Sequence, residues 1–285
     1  MSRVDTSHEE KRVWMVVEAK RPWQWPNLRA LYRARIVARW IARRDLRALY
    51  RQSGLGPLWF LLKPLAQMTV YTIIFGGLAR LDSNGIPYPI FNFCGLVPWT
   101  FFANCTMQST HSLVSSGPLY TKVLFPRLGL PLASMAVSCV DFSIQSFILV
   151  LMMVYFKIIP SAMIVWLPVF IFILVMTSFG VSLLLGSLNI VYRDVNTALP
   201  LLMQAWFFLS PVVYSERMIP EKWQFLYAMN PMSEVVRGFR SALLHTQYEI
   251  GMKFYIAISV SLILFISGMV IFQRLESSLV DYMAN

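Results

Sequence analysis

Residues 56–80, GPLWFLLKPLAQMTVYTIIFGGLAR, form an apolar run whose one internal cation is Lys63. A helix crossing a bilayer needs roughly 20 such residues. Comparable runs recur at 89–113, 129–156, 162–189, 195–214 and 254–273. Six runs in 285 residues leave little chain for anything soluble. The backbone must satisfy its own hydrogen bonds in lipid, so runs this evenly apolar are expected to be helices. A barrel would instead show short alternating strands. The expected fold class is an all-α membrane protein with six transmembrane helices.

Charge sets the expected orientation. Residues 1–55 carry 13 Lys/Arg against 5 Asp/Glu, so most of the net charge of +11 sits just before the first run. By the positive-inside rule this places the N-terminus in the cytoplasm, and six crossings return the C-terminus there. A basic chain also suits nucleic acid, but a block at this position reads as an orientation signal, and no nucleic-acid partner is expected. Residues 1–27 lack the apolar core of a signal peptide and read as a polar cytoplasmic segment. Residues 28–55 read as an amphipathic helix. From Ile41 onward Ala42, Leu46, Leu49 and Tyr50 share one face, opposite Arg44, Arg47 and Arg51. Such a helix lies in the headgroup plane, either as an anchor or as a platform for a cytoplasmic partner. Residues 56–285 make up the six-span domain.

Within that domain three features stand out. The run 89–113 is polar for a lipid-facing helix, with Asn92, Asn104, Thr106, Gln108, Ser109 and His111 along it. Such residues usually face other helices or a wet path. Asp141 lies near the middle of the third run and needs a partner or water; Lys63 is one candidate. Residues 210–249 are too charged to span and too aromatic for an ordinary loop. Two short amphipathic helices, 220–229 and 232–245, broken at Asn230-Pro231, fit the segment best. On the outer side they would either dip into the membrane or rest on its surface.

Catalytic signatures are missing. There is no phosphate-binding G-x-x-x-x-G-K-[ST] loop, no H-E-x-x-H, no G-x-S-x-G and no paired His/Cys spacing for a metal. Cys94, Cys105 and Cys139 fall in apolar runs without a C-x-x-C pair and read as small buried hydrophobes. Only Asp82 and Asp141 are acidic between residues 46 and 193, which disfavours a membrane glycosyltransferase built on a carboxylate cluster. The aromatics Trp59, Phe60, Tyr71, Trp99, Phe101 and Phe102, beside Asn104 and Gln108, form clusters suited to stacking on sugar faces. For any one of them taken singly, ordinary packing is the default reading, and the cluster is better evidence than its members.

Several motifs occur in a telling order: Leu49-Tyr50-Arg51-Gln52-Ser53-Gly54-Leu55-Gly56-Pro57-Leu58-Trp59, Phe125-Pro126-Arg127, Tyr192-Arg193-Asp194-Val195, Ser210-Pro211-Val212-Val213-Tyr214, and Asn230-Pro231-Met232 with Arg237-Gly238. In this they resemble the transmembrane permeases of bacterial ATP-binding-cassette exporters for cell-surface polysaccharides, those of O-antigen, capsule and teichoic acid. The resemblance covers about residues 28–275 and leans toward the O-antigen and teichoic-acid members. It implies a half-transporter of the bacterial inner membrane: two copies of this chain form a channel above two copies of a separate ATPase, which carries the phosphate-binding loop and uses ATP and Mg. No cofactor is implied for this chain. The basic helix becomes an interface helix, and Tyr120, Lys122, Phe125, Pro126, Arg127, Arg193 and Asp194 become contacts with the ATPase. Pro211, Tyr214, Asn230, Pro231, Glu234 and Arg237 fall to an outer gate of two helices. The implied substrate is a polysaccharide on undecaprenyl diphosphate, whose diphosphate suits Arg47 and Arg51 through bidentate guanidinium pairing. A permease for a drug or small lipid would share this architecture and differ in its lining.

Overall fold

The computed structural model describes residues 28–51, 56–115, 128–192 and 194–284. Among these every regular element is helical. Nine α-helices follow in order: α1 Leu28–Arg51, α2 Trp59–Tyr71, α3 Tyr88–Ser115, α4 Gly129–Tyr155, α5 Leu167–Val191, α6 Asp194–Phe208, α7 Glu221–Ala228, α8 Pro231–Leu244 and α9 Met252–Ala284. Four helical stretches are long and apolar enough to cross a membrane: Trp59–Leu78, Gly129–Tyr155, Ala162–Val191 and Met252–Leu275.

The other two expected crossings are not among these four. Helix α3 has ample length at 28 residues, but its inner faces bury Asn92, Thr106, Ser109 and Thr110. Helix α6 has only 15 residues, about 22 Å of rise, where an apolar run over 195–214 led us to expect a full crossing. It stops at Phe208 because the chain beyond it, Leu209–Ser215, is tied into an irregular turn by a buried arginine described below. The first stretch also departs from expectation. After Tyr71 it widens into a π-helix over Thr72–Leu78. Gly76 there lies so close to the Tyr88 ring that a Cβ would come within 2.7 Å of it.

Helix α3 sits at the centre, with Phe91, Phe93 and Phe102 fully buried. Helices α4, α5 and α8 surround it, and α9 packs along α5. The α5–α9 contact is built from small and hydroxylated residues, the usual way for helices to approach closely in lipid. A Cβ on Gly180 would fall 2.6 Å from the Leu264 backbone, one on Gly268 would fall 2.5 Å from the Gly180 carbonyl oxygen, and Thr177 and Ser261 share a 2.9 Å hydrogen bond.

Helix α1 buries Ala38, Ile41 and Ala42 in a cluster with Leu130, Ala133 and Val137 of α4, and leaves Arg39, Arg43, Arg44 and Arg47 exposed. Its apolar stripe thus begins earlier than the periodicity from Ile41 suggested and faces the bundle itself. Helix α2 is the least covered, with Trp59, Leu61, Leu62, Val70, Ile73 and Ile74 exposed along it and its π-helical extension. Cys94 and Cys105 are buried as expected, whereas Cys139 is exposed on α4.

Candidate functional site

Two polar arrangements interrupt this apolar bundle. The first runs between α3 and α4, where Thr100, Asn104 and Ser112, four and eight residues apart, share one face of α3. Thr100 donates to the Gln145 carbonyl at 2.7 Å, Asn104 lies beside Asp141 and supports its carboxylate, and Ser134 donates to Ser112 at 3.4 Å. Lys63, exposed on α2, is within electrostatic reach of Asp141. The Asp141 Oδ1 atom is buried without a hydrogen-bond partner, as are the hydroxyls of Ser109 and Ser138 nearby in the sequence of the same two helices. Lys63 and Asp141, which the sequence offered as a possible pair, are thus brought to one neighbourhood.

The aromatics beside this seam divide into two groups. Trp99, Phe101 and Phe102 are buried and pack within the chain: Trp99 on Phe207 with ring centroids 5.5 Å apart, Phe101 on Phe142 at 5.5 Å, Phe102 on Trp206 at 5.0 Å. Trp59 is exposed, Phe60 is half-buried, and Tyr71 contacts Phe207 at 5.4 Å and accepts from Gln67 at 3.4 Å. Gln108 is half-buried.

The second arrangement lies at the end of the bundle where α3 begins. Arg240 of α8 is only 4% exposed, and among the described residues its guanidinium meets no carboxylate. It donates instead to backbone carbonyls: Phe91 at 3.3 Å, Pro211 at 2.7 Å, Val212 at 2.5 Å and Tyr214 at 3.1 Å. The ring centroid of Phe91 lies 3.7 Å from the guanidinium carbon. Burial lowers the Arg240 pKa to about 10, so it stays cationic at neutral pH. This one side chain turns Ser210–Tyr214 from a continuation of α6 into a fixed loop against α3.

Asn230 locks the same loop from the other side. Its side chain accepts from Trp206 Nε1 at 3.0 Å and from the Met232 amide at 3.1 Å, which caps α8, and donates to Ser210 Oγ at 2.9 Å. Pro231 follows in the first turn of α8, where its missing N–H costs nothing. Tyr214 meets Tyr227 hydroxyl to hydroxyl at 2.6 Å. Gly238 is packed so tightly on the Phe170 ring that no side chain fits. The Ser210–Tyr214, Asn230–Met232 and Arg237-Gly238 motifs therefore converge on one knot.

Four charged groups surround that knot. Arg237 pairs with Glu216 through Nε and with Glu234 at 2.8 Å, and Lys253 pairs with Glu216 at 2.8 Å. Tyr248 donates to Glu234 at 2.5 Å; burial and that carboxylate push its hydroxyl pKa up. Sequence reading picked out Glu234 and Arg237 but missed Glu216, Arg240, Tyr248 and Lys253. Arg240 left a faint trace, standing three residues after Arg237 on the same helix face.

At the opposite end of the bundle, Asn189 donates to the Thr110 carbonyl at 3.2 Å and accepts from the Asn196 amide at 3.0 Å, joining α3, α5 and the first turn of α6. Asp194 begins α6 and is exposed; Arg47 is exposed on α1, and Arg51 is its last residue. Tyr120, Lys122, Phe125, Pro126, Arg127 and Arg193 lie outside the described residues, as do residues 1–27.

The signature of ABC-2 type transporters matches residues 37–244, from within α1 to the last residue of α8. The chain belongs to the ABC-2 type transporter family. Similar proteins include the O-antigen export system permease protein RfbA of Klebsiella pneumoniae, 30% identical over 240 residues, covering 83% of this chain and 90% of that protein. RfbA of Myxococcus xanthus is 30% identical over 218 residues, covering 75% of this chain and 82% of its own length. The polysialic acid transport protein KpsM of Escherichia coli is 22% identical over 244 residues, covering 83% of this chain and 92% of that protein. As an ABC-2 chain it is a multi-pass membrane component, and the knot, the Asn189 bridge and most of α1 all fall inside the shared region.

Proposed function

We propose that this ABC-2 chain is the channel-forming permease of an ATP-driven exporter that moves a lipid-linked cell-surface polysaccharide, O-antigen-like in class, from cytoplasm to periplasm. The observation that carries this reading is the 30% identity to an O-antigen export permease over 90% of that protein's length. In this reading α3 and α6 complete six crossings of the bacterial inner membrane, and both termini are cytoplasmic. Two copies enclose the path, with Trp59, Phe60 and Tyr71 of the lightly covered α2 toward it. Trp99, Phe101, Phe102, Asn104 and Gln108 stand behind them. A mixture of aromatic faces and polar groups suits a polymer that offers both C–H faces and hydroxyls.

ATP and Mg belong to a partner ATPase present in two copies. Arg193, Asp194 and the Tyr120–Arg127 segment, with Lys122, Phe125 and Pro126, receive its stroke. The Asn189 bridge supports this role, because a push on the start of α6 reaches α3 and α5 through two hydrogen bonds. Arg47 and Arg51 suit the diphosphate of an undecaprenyl diphosphate carrier. The outer knot, with Pro211, Tyr214, Asn230, Pro231, Glu234 and Arg237, stands at the exit as a gate.

The test is hydrolysis and its coupling. The chain purified alone in detergent should show only background ATPase activity, and co-reconstitution with its partner ATPase should yield hydrolysis that lipid-linked polymer stimulates. Robust hydrolysis by the isolated, contaminant-free chain would overturn the assignment.

A further inference from the structure

Helix α8 is gripped by two arginines one turn apart, and the grips differ in kind. Arg240 is spent on backbone carbonyls of α3 and of the Pro211–Tyr214 loop. Behind it Gly95 has no room even for a Cβ, which would fall 2.8 Å from the Val212 carbonyl oxygen and 2.9 Å from the guanidinium. Water cannot replace those bonds while α3, the loop and α8 stay packed. Arg237 instead holds side chains. Its own side chain is 18% exposed, Glu216 is 28% and Lys253 is 36%, so water reaches the cluster. Ion pairs of that kind are weak, screened by salt and readily exchanged.

Residues 215–229 are attached to the bundle by this cluster and by a few further side-chain contacts. They comprise a short 3-10 turn at Glu216–Met218, Pro220 and the eight residues of α7. Helix α7 turns Trp223, Phe225 and Leu226 outward. The segment's other contacts are Ser215, buried and donating to Asn84 at 3.3 Å, Arg217, donating to Gln247 at 2.9 Å, the buried Ile219 and Ala228, and the Tyr227 hydroxyl. Beneath it lies a small pocket lined by Ile219, Tyr227, Ser233, Glu234 and Arg237. The Ser233 side chain is buried, at 3% exposure, and its hydroxyl has no hydrogen-bond partner among the described residues. A buried hydroxyl left unpaired is costly, and opening the pocket to water relieves it.

We propose that residues 215–229 form a lid over the Ser233 pocket, latched by Glu216 to Arg237 and Lys253, and that this lid lifts while α8 remains clamped to α3 by Arg240. The outer gate is then one moving helix against one fixed helix. Its place in export rests on the exporter reading above.

Single reporter cysteines at Ser233, Ile219 and Val236, in a protein whose three native cysteines are replaced, test the lid in spheroplasts carrying the whole exporter. A membrane-impermeant maleimide supplied outside reads how often each site is uncovered. Glu216→Gln should speed labelling at Ser233→Cys and Ile219→Cys by about tenfold and leave Val236→Cys protected. Raising salt from about 0.05 M to about 1 M NaCl should speed labelling several-fold with Glu216 present and have no effect on the Glu216→Gln variant, which lacks the charge to be screened. Equal rates with Glu or Gln at this position, at whichever reporters insert, would overturn the latch. Labelling of Val236→Cys along with the others would overturn the fixed role of α8. No arm requires ATP or polymer, so failure here counts against the lid and leaves the export reading standing.

Discussion

Arg240 shows how one residue shapes one end of this molecule. Four carbonyls share its guanidinium, and those of Pro211, Val212 and Tyr214, outside any helix, would lose this partner if it were removed, at about 1–3 kcal/mol for each left buried and unpaired before relaxation. Arg240→Met should therefore lower the melting temperature of the detergent-solubilised protein markedly. Arg240→Lys should recover only part of the loss, because an ammonium cannot span the same acceptors in one plane. Equal melting temperatures for wild type and Arg240→Met, measured by fluorescence-detected size exclusion, would show that the loop holds without it. Little in the sequence marks this residue. A buried arginine satisfied by carbonyls has no acidic partner at a helical interval, so it reads as one more charge on a short amphipathic helix. Asn230 was easier to place, since an Asn-Pro pair marks a helix start by its own local chemistry. Trp99 presents the reverse case: its size and position were plain, but no periodicity tells whether a ring packs on Phe207 or faces a path. Trp99→Ala should reduce export beyond any loss of inserted protein if that ring serves the path, and export normalised to protein level decides it.

At the scale of elements, the apolar runs foretold α2, α4, α5 and α9 closely, because each run's length is set by the bilayer. What they did not foretell arose from tertiary contacts. The run over 195–214 is apolar throughout most of its helical part, yet α6 ends at Phe208 because Arg240 and Asn230 claim the chain beyond. The π-helical end of the first stretch likewise follows from the approach of Gly76 to Tyr88, a residue beyond the next turn. The α5–α9 seam offers a direct test of packing. Gly180→Leu would drive a side chain into the Leu264 backbone, and overpacking of this kind costs about 1–3 kcal/mol. It should lower thermal stability more than Gly77→Leu, where a Cβ meets nothing closer than 3.9 Å. The bridge at the other end is testable too. Asn189→Ala removes the link from α6 to α3 without touching an exposed surface, so it should leave the ATPase bound and uncouple hydrolysis from export. Normal export by Asn189→Ala would make the bridge a structural cap alone.

For the whole molecule, orientation and cargo are the claims that matter. The excess of 13 Lys/Arg over 5 Asp/Glu in residues 1–55 predicts that a lone cysteine at Ser83 is labelled from the periplasm and one at Ser53 is not. The reverse pattern would invert the topology and move the outer knot to the wrong face. Fold class was legible because lipid leaves the backbone so few choices; cargo was legible only through motifs shared with proteins of known task, since a channel lining shows no catalytic signature. The most direct measurement is therefore of the polymer itself. In cells depleted of this chain, radiolabelled lipid-linked polysaccharide should accumulate on the cytoplasmic side of the inner membrane, and restoring the chain should carry it outward only while ATP is present. Surface polymer that appears at the normal rate without the chain, or movement that continues after ATP is exhausted, would contradict the account.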